Sequence, residues 1–271
     1  MTDVAWDVVG DGPPVVLVPA GIGSRRQFDR VATDLGRDFT VITMDPRGQG
    51  ESPNPVGDYF DHEDALDVLQ EAGFDHAGWV GCSNGGRIVA DVAATTPTAV
   101  DAMVLLGPAL PGGGSWDDFP DDFGRLQEAD RACQEGDFDL TAEIHAELFV
   151  VGRDRTLTDL PQPLASGVMG LLMAAAAREQ GAWDGGEPRE IDPPLRDRLA
   201  TIEAPTLVGV GTHDHPAIHH AARRYREELP NAVGQAIQGV AHFPAWEAPA
   251  VTAELVRDHL LAPLDPDRPR G

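Results

Sequence analysis

Residues 77–86 read Ala77-Gly78-Trp79-Val80-Gly81-Cys82-Ser83-Asn84-Gly85-Gly86. A short apolar run leads into a glycine-flanked serine, and a helical pattern follows from Gly86 to Ala94. Such a run suits a strand covered on both faces. A turn this tight, from strand to helix, forces the serine into a strained backbone conformation. The flanking glycines remove Cβ atoms that would meet the helix and the neighbouring strand. The hydroxyl then projects above the sheet edge. The helix N-terminus supplies N–H groups and partial positive charge for a developing oxyanion. G-x-S-x-G alone is a weak motif, but between strand and helix it marks Ser83 as a nucleophile. Cys82 is expected to point into the core as a small hydrophobe.

Outward from this stretch, the same alternation repeats. Apolar strand candidates run from Pro14 to Pro19, Phe39 to Met44, Ala102 to Leu106, Thr206 to Val210 and Ala232 to Ile237. Helical patterns run from Phe28 to Leu35, His62 to Glu71, Ile218 to Leu229 and Pro249 to Leu261. Strands alternating with helices predict an α/β fold: a mostly parallel sheet with helices on both faces. Right-handed crossovers place the strand C-termini on one edge, where ligands bind. The alternation breaks between Pro111 and Leu195, after Pro111-Gly112-Gly113-Gly114. That stretch reads as helices near Asp121 to Gln134, Leu140 to Val151 and Leu164 to Gln180. The expected organisation is a core of residues 1–110 and 196–262, an inserted helical cap at 111–195, and a flexible Pro- and Asp-rich tail at 263–271.

Composition narrows the partners. The 271 residues suit one large α/β domain with an insertion. A net charge of −25 argues against nucleic acid or an anionic membrane as partner, because phosphates are repelled. There is no lysine, so every basic side chain apart from histidine is arginine. The first twelve residues carry Asp3, Asp7 and Asp11 without an apolar segment, and no apolar run approaches the length of a membrane span, so cytoplasmic residence is expected. Cys82 and Cys133 do not make a disulfide framework.

Three stretches together resemble the α/β-hydrolase family. Gly10 to Val18 is similar to its opening strand, Asp45-Pro46-Arg47-Gly48-Gln49-Gly50-Glu51-Ser52 to its D-x-R-G-x-G-x-S loop, and Gly81 to Gly86 to its nucleophile elbow. The likeness extends from residue 8 to about 261, and is closest to lid-bearing esterases and enol-lactonases. It implies the chain order Ser, acid, His. Asp214 follows the Thr206–Val210 strand and resembles the family's acid. The alternative position one strand earlier, Leu106 to Leu110, has no carboxylate. His242, in Gln238-Gly239-Val240-Ala241-His242, resembles the family's base. His242 would take the Ser83 proton and return it to the leaving group, while Asp214 holds its other ring nitrogen. The resemblance also implies an oxyanion hole made by the backbone N–H groups of Ile22 and Asn84. Pro19 stands where the family usually has a buttressing histidine. Asp45 to Ser52 is expected to support this loop, with Arg47 as a hydrogen-bonding buttress.

Other features admit blander readings. His213, Asp214, His215, His219 and His220 could suggest a metal site, but adjacent His219 and His220 splay apart on a helix. No metal or cofactor is expected, and these histidines are read as exposed, as are His62, His76, His145 and His259. In the cap, Trp116, Phe119, Phe123, Phe149, Met169, Met173 and Trp183 could line an apolar pocket or pack cap on core. No cluster of basic cap residues announces a carboxylate or phosphate substrate. The expected function is cleavage of a small-molecule carboxylic ester or lactone through an acyl-Ser83 intermediate. C–C bond hydrolysis and cofactor-free perhydrolysis use the same triad and stay open. So does a ligand receptor or non-hydrolytic scaffold on the same fold. Substrate identity and oligomeric state remain open.

Overall fold

A computed structural model describes residues 3–113, 116–152, 154–160, 162, 164–182 and 185–262. The expected tail at 263–271, Gly114 of the glycine run and Trp183 lie outside the described residues.

Seven strands form one sheet: β1 (Trp6–Val9), β2 (Pro14–Val18), β3 (Thr40–Met44), β4 (Ala77–Cys82), β5 (Val100–Leu106), β6 (Thr206–Gly211) and β7 (Ala232–Ile237). Their order is β1-β3-β2-β4-β5-β6-β7. All pairings are parallel except β1 with β3, where Trp6 faces Met44 and Val9 faces Val41. β1 is the strand that sequence patterning missed. It is four residues long on a sheet edge, with Val8 and Val9 exposed, so it lacks the buried apolar run that marks β2 to β6.

Side-chain alternation explains why the central strands are apolar throughout. In β2, Val15 and Leu17 enter one core layer while Val16 and Val18 enter the other. In β5, Val104 and Leu106 join the first layer, Met103 and Leu105 the second. Helices α1 (Asp29–Leu35) and α9 (Pro249–Leu261) cover the first face through Val31, Leu35, Val256 and Leu260. Helices α2 (Asp61–Glu71), α3 (Asn84–Thr95) and α7 (Pro216–Glu228) cover the second through Val68, Ile88, Val92 and Tyr225. Burying each such aliphatic side chain contributes about 1.5–3 kcal/mol.

Between β5 and β6 the chain forms α4 (Pro120–Glu135), α5 (Phe138–His145), a π-helical turn over Ala146–Val151, and α6 (Leu164–Ala182). These helices pack on one another, and their segment meets the loops after β6 and β7. Phe149 reaches the β7–α8 loop there, α8 being Pro244–Glu247, and its carbonyl accepts from the His242 N–H at 3.1 Å.

Candidate active site

Ser83 occupies the single residue between β4 and α3. Its φ of 54° and ψ of −116° lie in a region that costs a non-glycine residue about 1–3 kcal/mol. The surroundings enforce it. The Ser83 N–H donates to the Leu106 carbonyl at 2.9 Å, and its own carbonyl accepts from Gly86, Arg87 and Ala109 at 2.9, 3.2 and 3.0 Å. A Cβ at Gly81 would run into the Gly85 carbonyl, and one at Gly85 into the carbonyls of Val18 and Pro19. The glycines of the motif are therefore set by backbone-to-backbone packing. Cys82 is buried in the core, and burial pushes its thiol up to about 12, which keeps it protonated and a poor nucleophile.

Asp214 and His242 come together from loops after β6 and β7. His242 Nδ1 lies 2.9 Å from Asp214 Oδ2, and both residues are buried. The other carboxylate oxygen, Oδ1, accepts the His215 N–H at 2.8 Å. Gly107 joins this pair to the elbow. It follows Leu106, whose carbonyl holds Ser83, and has a φ of 51°. A Cβ there would sit 3.0 Å from His242 Nδ1 and 3.1 Å from Asp214 Oδ2. Ser83 and the His–Asp pair thus flank the same two residues. Among the described residues neither the Ser83 hydroxyl nor His242 Nε2 has a hydrogen-bond partner. Such links often tighten only when substrate binds.

The loop after β2 approaches the elbow as well. A Cβ at Gly21 would lie 3.6 Å from the Asn84 Cβ. Among the described residues the N–H groups of Ile22 and Asn84 donate to no acceptor, as a site for an added oxygen requires. Gln27 braces this loop where the usual histidine is replaced by Pro19: its Oε1 accepts the Ala20 N–H at 3.0 Å. The Asp45–Ser52 loop does support it. Asp45 Oδ1 accepts the Arg25 N–H at 2.6 Å, its carboxylate also pairs with the Arg25 guanidinium, and Arg47 is held bidentately by Asp64 at 2.6 and 2.7 Å.

Several histidines depart from expectation. His215 is buried, stacked on Trp116 with ring centroids 4.6 Å apart, edge-on to Phe119, and 2.8 Å from Asp122 of α4. It fastens the inserted helices to the loop that carries Asp214. His62 and His145 are also buried, and desolvation pushes His145 down to about 4, so it is neutral. No sequence signal marked the burial of His215, because Trp116, Phe119 and Asp122 around it lie on elements distant in the chain. His76 is exposed, and His213, His219, His220 and His259 are half-buried. Among the described residues no three His, Cys, Asp or Glu side chains gather as a metal site. Of the cap aromatics, Phe149 packs 5.1 Å from the His242 ring, whereas Phe123 is exposed.

The sequence profile of the α/β-hydrolase fold matches residues 13–249. The chain belongs to the α/β-hydrolase family. This α/β-hydrolase is 26% identical over 247 residues to a pimeloyl-[acyl-carrier protein] methyl ester esterase of Cronobacter sakazakii, covering 90% of this chain and 92% of the relative. It is 27% identical over 266 residues to the esterase YbfF of Escherichia coli K12, covering 91% and 92%. The structure of a bromoperoxidase from Bacillus anthracis matches with a TM-score of 0.77 at 22% identity over 95% of each chain. An enol-lactonase from Burkholderia xenovorans LB400 matches with a TM-score of 0.73 at 20% identity, covering 95% and 96%. Those two structural likenesses establish the fold. Among the described residues, no helix of this α/β-hydrolase is long and apolar enough to cross a membrane.

Proposed function

We propose that the chain is a serine hydrolase that cleaves a small-molecule carboxylic ester or lactone, with Ser83 as nucleophile, His242 as base and Asp214 as acid. One observation carries this reading: Ser83 at positive φ and the His242–Asp214 hydrogen bond meet across Leu106 and Gly107. Esterase names among the sequence relatives favour ester cleavage over the other reactions open to such a triad.

The chemistry follows from the groups present. Ser83 Oγ attacks the carbonyl carbon while His242 Nε2 takes its proton. Negative charge moves to the carbonyl oxygen, which the N–H groups of Ile22 and Asn84 receive at the α3 N-terminus. His242 then protonates the departing alkoxide, leaving acyl-Ser83. Water, deprotonated by His242, repeats the sequence and releases the acid. Asp214 fixes the ring tautomer and stabilises the imidazolium. Residues 111–195 act as a cap that bounds the substrate and excludes bulk water.

An alkyl fluorophosphonate tests the assignment. Mass spectrometry is expected to find the phosphonyl adduct on Ser83 alone, and Ser83→Ala to abolish labelling without unfolding. An adduct on Cys82, or labelling that survives in Ser83→Ala, overturns it.

A further inference from the structure

A cavity of about 320 Å³ opens beside the two oxyanion donors. Ile22 and Asn84, Gln49 and Tyr59, and Ala175 and Arg178 of α6 are among its lining residues. Some of its polar groups are uncommitted. The Arg178 guanidinium makes one hydrogen bond, from Nη2 to the Ser52 carbonyl, and its Nε is buried with no partner among the described residues. No described carboxylate pairs with it, although acids outnumber arginines 45 to 20 in this chain. The neighbouring arginines differ: Arg47 is held by Asp64, and Arg87 by Asp61 and Asp91. Gln49 Oε1 is likewise buried without a partner, and because an amide can turn over, this side chain can offer either an acceptor or a donor. Burial pushes the Tyr59 phenol up, so it remains a protonated donor.

The acids in the same lining are muted. Asp61 is paired with Arg87. Burial, and then Asp130, push Glu179 up to about 7. Glu187 is exposed at the rim. What remains is one partly buried guanidinium, a hydroxyl and an amide in a lining that Ile22 and Asn84 share. A planar, singly charged oxyanion matches a guanidinium fork. A phosphate's second charge would be unmatched, because Arg178 is the one cation of the described lining without a carboxylate partner.

We infer that this cavity takes a carboxylate, so that the substrate is an ester or lactone carrying a second, free carboxylate, held by Arg178, while its scissile carbonyl lies at Ile22 and Asn84. The position of that carbonyl rests on the function proposed above. No cluster of basic cap residues is needed, because α6 delivers a single arginine to the 47–54 loop.

The test uses monomethyl esters of linear dicarboxylic acids from four to eight carbons, each beside its isosteric neutral carboxamide. Binding is measured by calorimetry on Ser83→Ala, which does not depend on turnover. At least one carboxylate is expected to bind about 10- to 100-fold more tightly than its amide, the range of a hydrogen bond to a charged group. Arg178→Met is expected to bring the ratio to about one, and Arg178→Lys to leave it in between. The comparison of acid with amide needs no change at Arg178, so it stands even if that variant folds poorly. Equal binding of acid and amide, no binding by any member, a ratio that survives Arg178→Met, or tighter binding of a matched phosphonate each overturns the inference. The ratio of kcat/KM for each pair, measured on the intact chain, separates the two readings. Hydrolysis without discrimination removes the carboxylate site and keeps the hydrolase. Discrimination in binding with no turnover or Ser83 labelling does the reverse.

Discussion

The loop that carries Ser83 and the loop that carries His242 reach the same sheet edge by different means. The elbow is held from within. Its hydrogen bonds run to its own helix and to the end of β5, and Gly81 and Gly85 are fixed by backbone packing. The His242 loop is held from outside. The Ala241 N–H donates to Glu247 Oε1 at 2.7 Å, Glu247 pairs with Arg155 at 2.7 Å, and Arg155 also donates to Gly239, Val150 and Val151 carbonyls. The Phe149 carbonyl takes the His242 N–H. Arg155, Val150 and Phe149 all belong to the segment inserted between β5 and β6. Ser83 is thus positioned by local strain, and His242 by an inserted segment some ninety residues away in sequence (Arg155 and Glu247 are 92 apart). That segment therefore braces the loop of the proposed base.

The largest expected effects ask whether both loops serve one reaction. By analogy with serine proteases, Ser83→Ala and His242→Ala should each lower kcat by about 10⁶, and the double variant should be no worse than either. Asp214→Asn should cost about 10⁴, because the wrong tautomer is favoured. Steady-state kinetics on an ester panel is the measurement. If His242→Ala kept near-normal turnover while His215→Gln lost it, the base would pass to His215.

A smaller effect tests the external tether. Arg155→Met leaves the buried Glu247 without its partner, and breaking such a pair costs about 3–5 kcal/mol. We expect a lower Tm and slower fluorophosphonate labelling of Ser83 at temperatures where the variant is folded, since His242 loses its alignment. Glu247→Gln should be milder. Burial already pushes the Glu247 carboxyl up, despite Arg155, and the amide oxygen still accepts from Ala241. Gly85→Ala should fail differently, by not folding, because its methyl meets the carbonyls of Val18 and Pro19. If Arg155→Met matched the parent in Tm and labelling, the contrast between the two loops would be wrong.

The same contrast explains what could be read from sequence. Ser83, its glycines and the apolar strands β2 to β6 are legible because their causes lie within a few residues: strand period, helix start, steric need for glycine. Asp214 and His242 were placed by family order, and the structure brings them within a hydrogen bond of each other. Gln27, Gly107 and Arg155 were invisible, and Phe149 was readable only as an apolar cap residue, since each acts through a contact made only after folding. His215 was misjudged as exposed for the same reason: Trp116, Phe119 and Asp122 that bury it lie about a hundred residues earlier. β1 was missed because an exposed edge strand needs no apolar run.

The smallest expected effect separates the inserted helices from both loops through Glu179 of α6. Burial comes first, and Asp130 second, in raising its carboxyl from 4.5 to about 7. The folded chain therefore holds a proton that the unfolded chain has lost between about pH 4.5 and 7. With more protons bound in the folded state, stability from this group is fully present below about pH 4.5 and is lost as pH rises to about 7. Asp91, pushed up by burial to about 6, acts in the same direction, so the parent curve alone does not isolate Glu179. The difference between the parent and Glu179→Gln does. Glutamine keeps the shape of the protonated carboxyl and cannot ionise. Between pH 5 and 7.5 the parent should lose about 2–4 °C more in Tm than Glu179→Gln, which is what about 1 kcal/mol is worth in a chain of this size. Ser83 labelling at pH 7.5 serves as the control for the comparison between loops. If Glu179→Gln shifted the pH dependence of Tm in the opposite direction or not at all, the carboxyl would be solvated in the folded chain. The Arg178 cavity would then face a full negative charge at neutral pH.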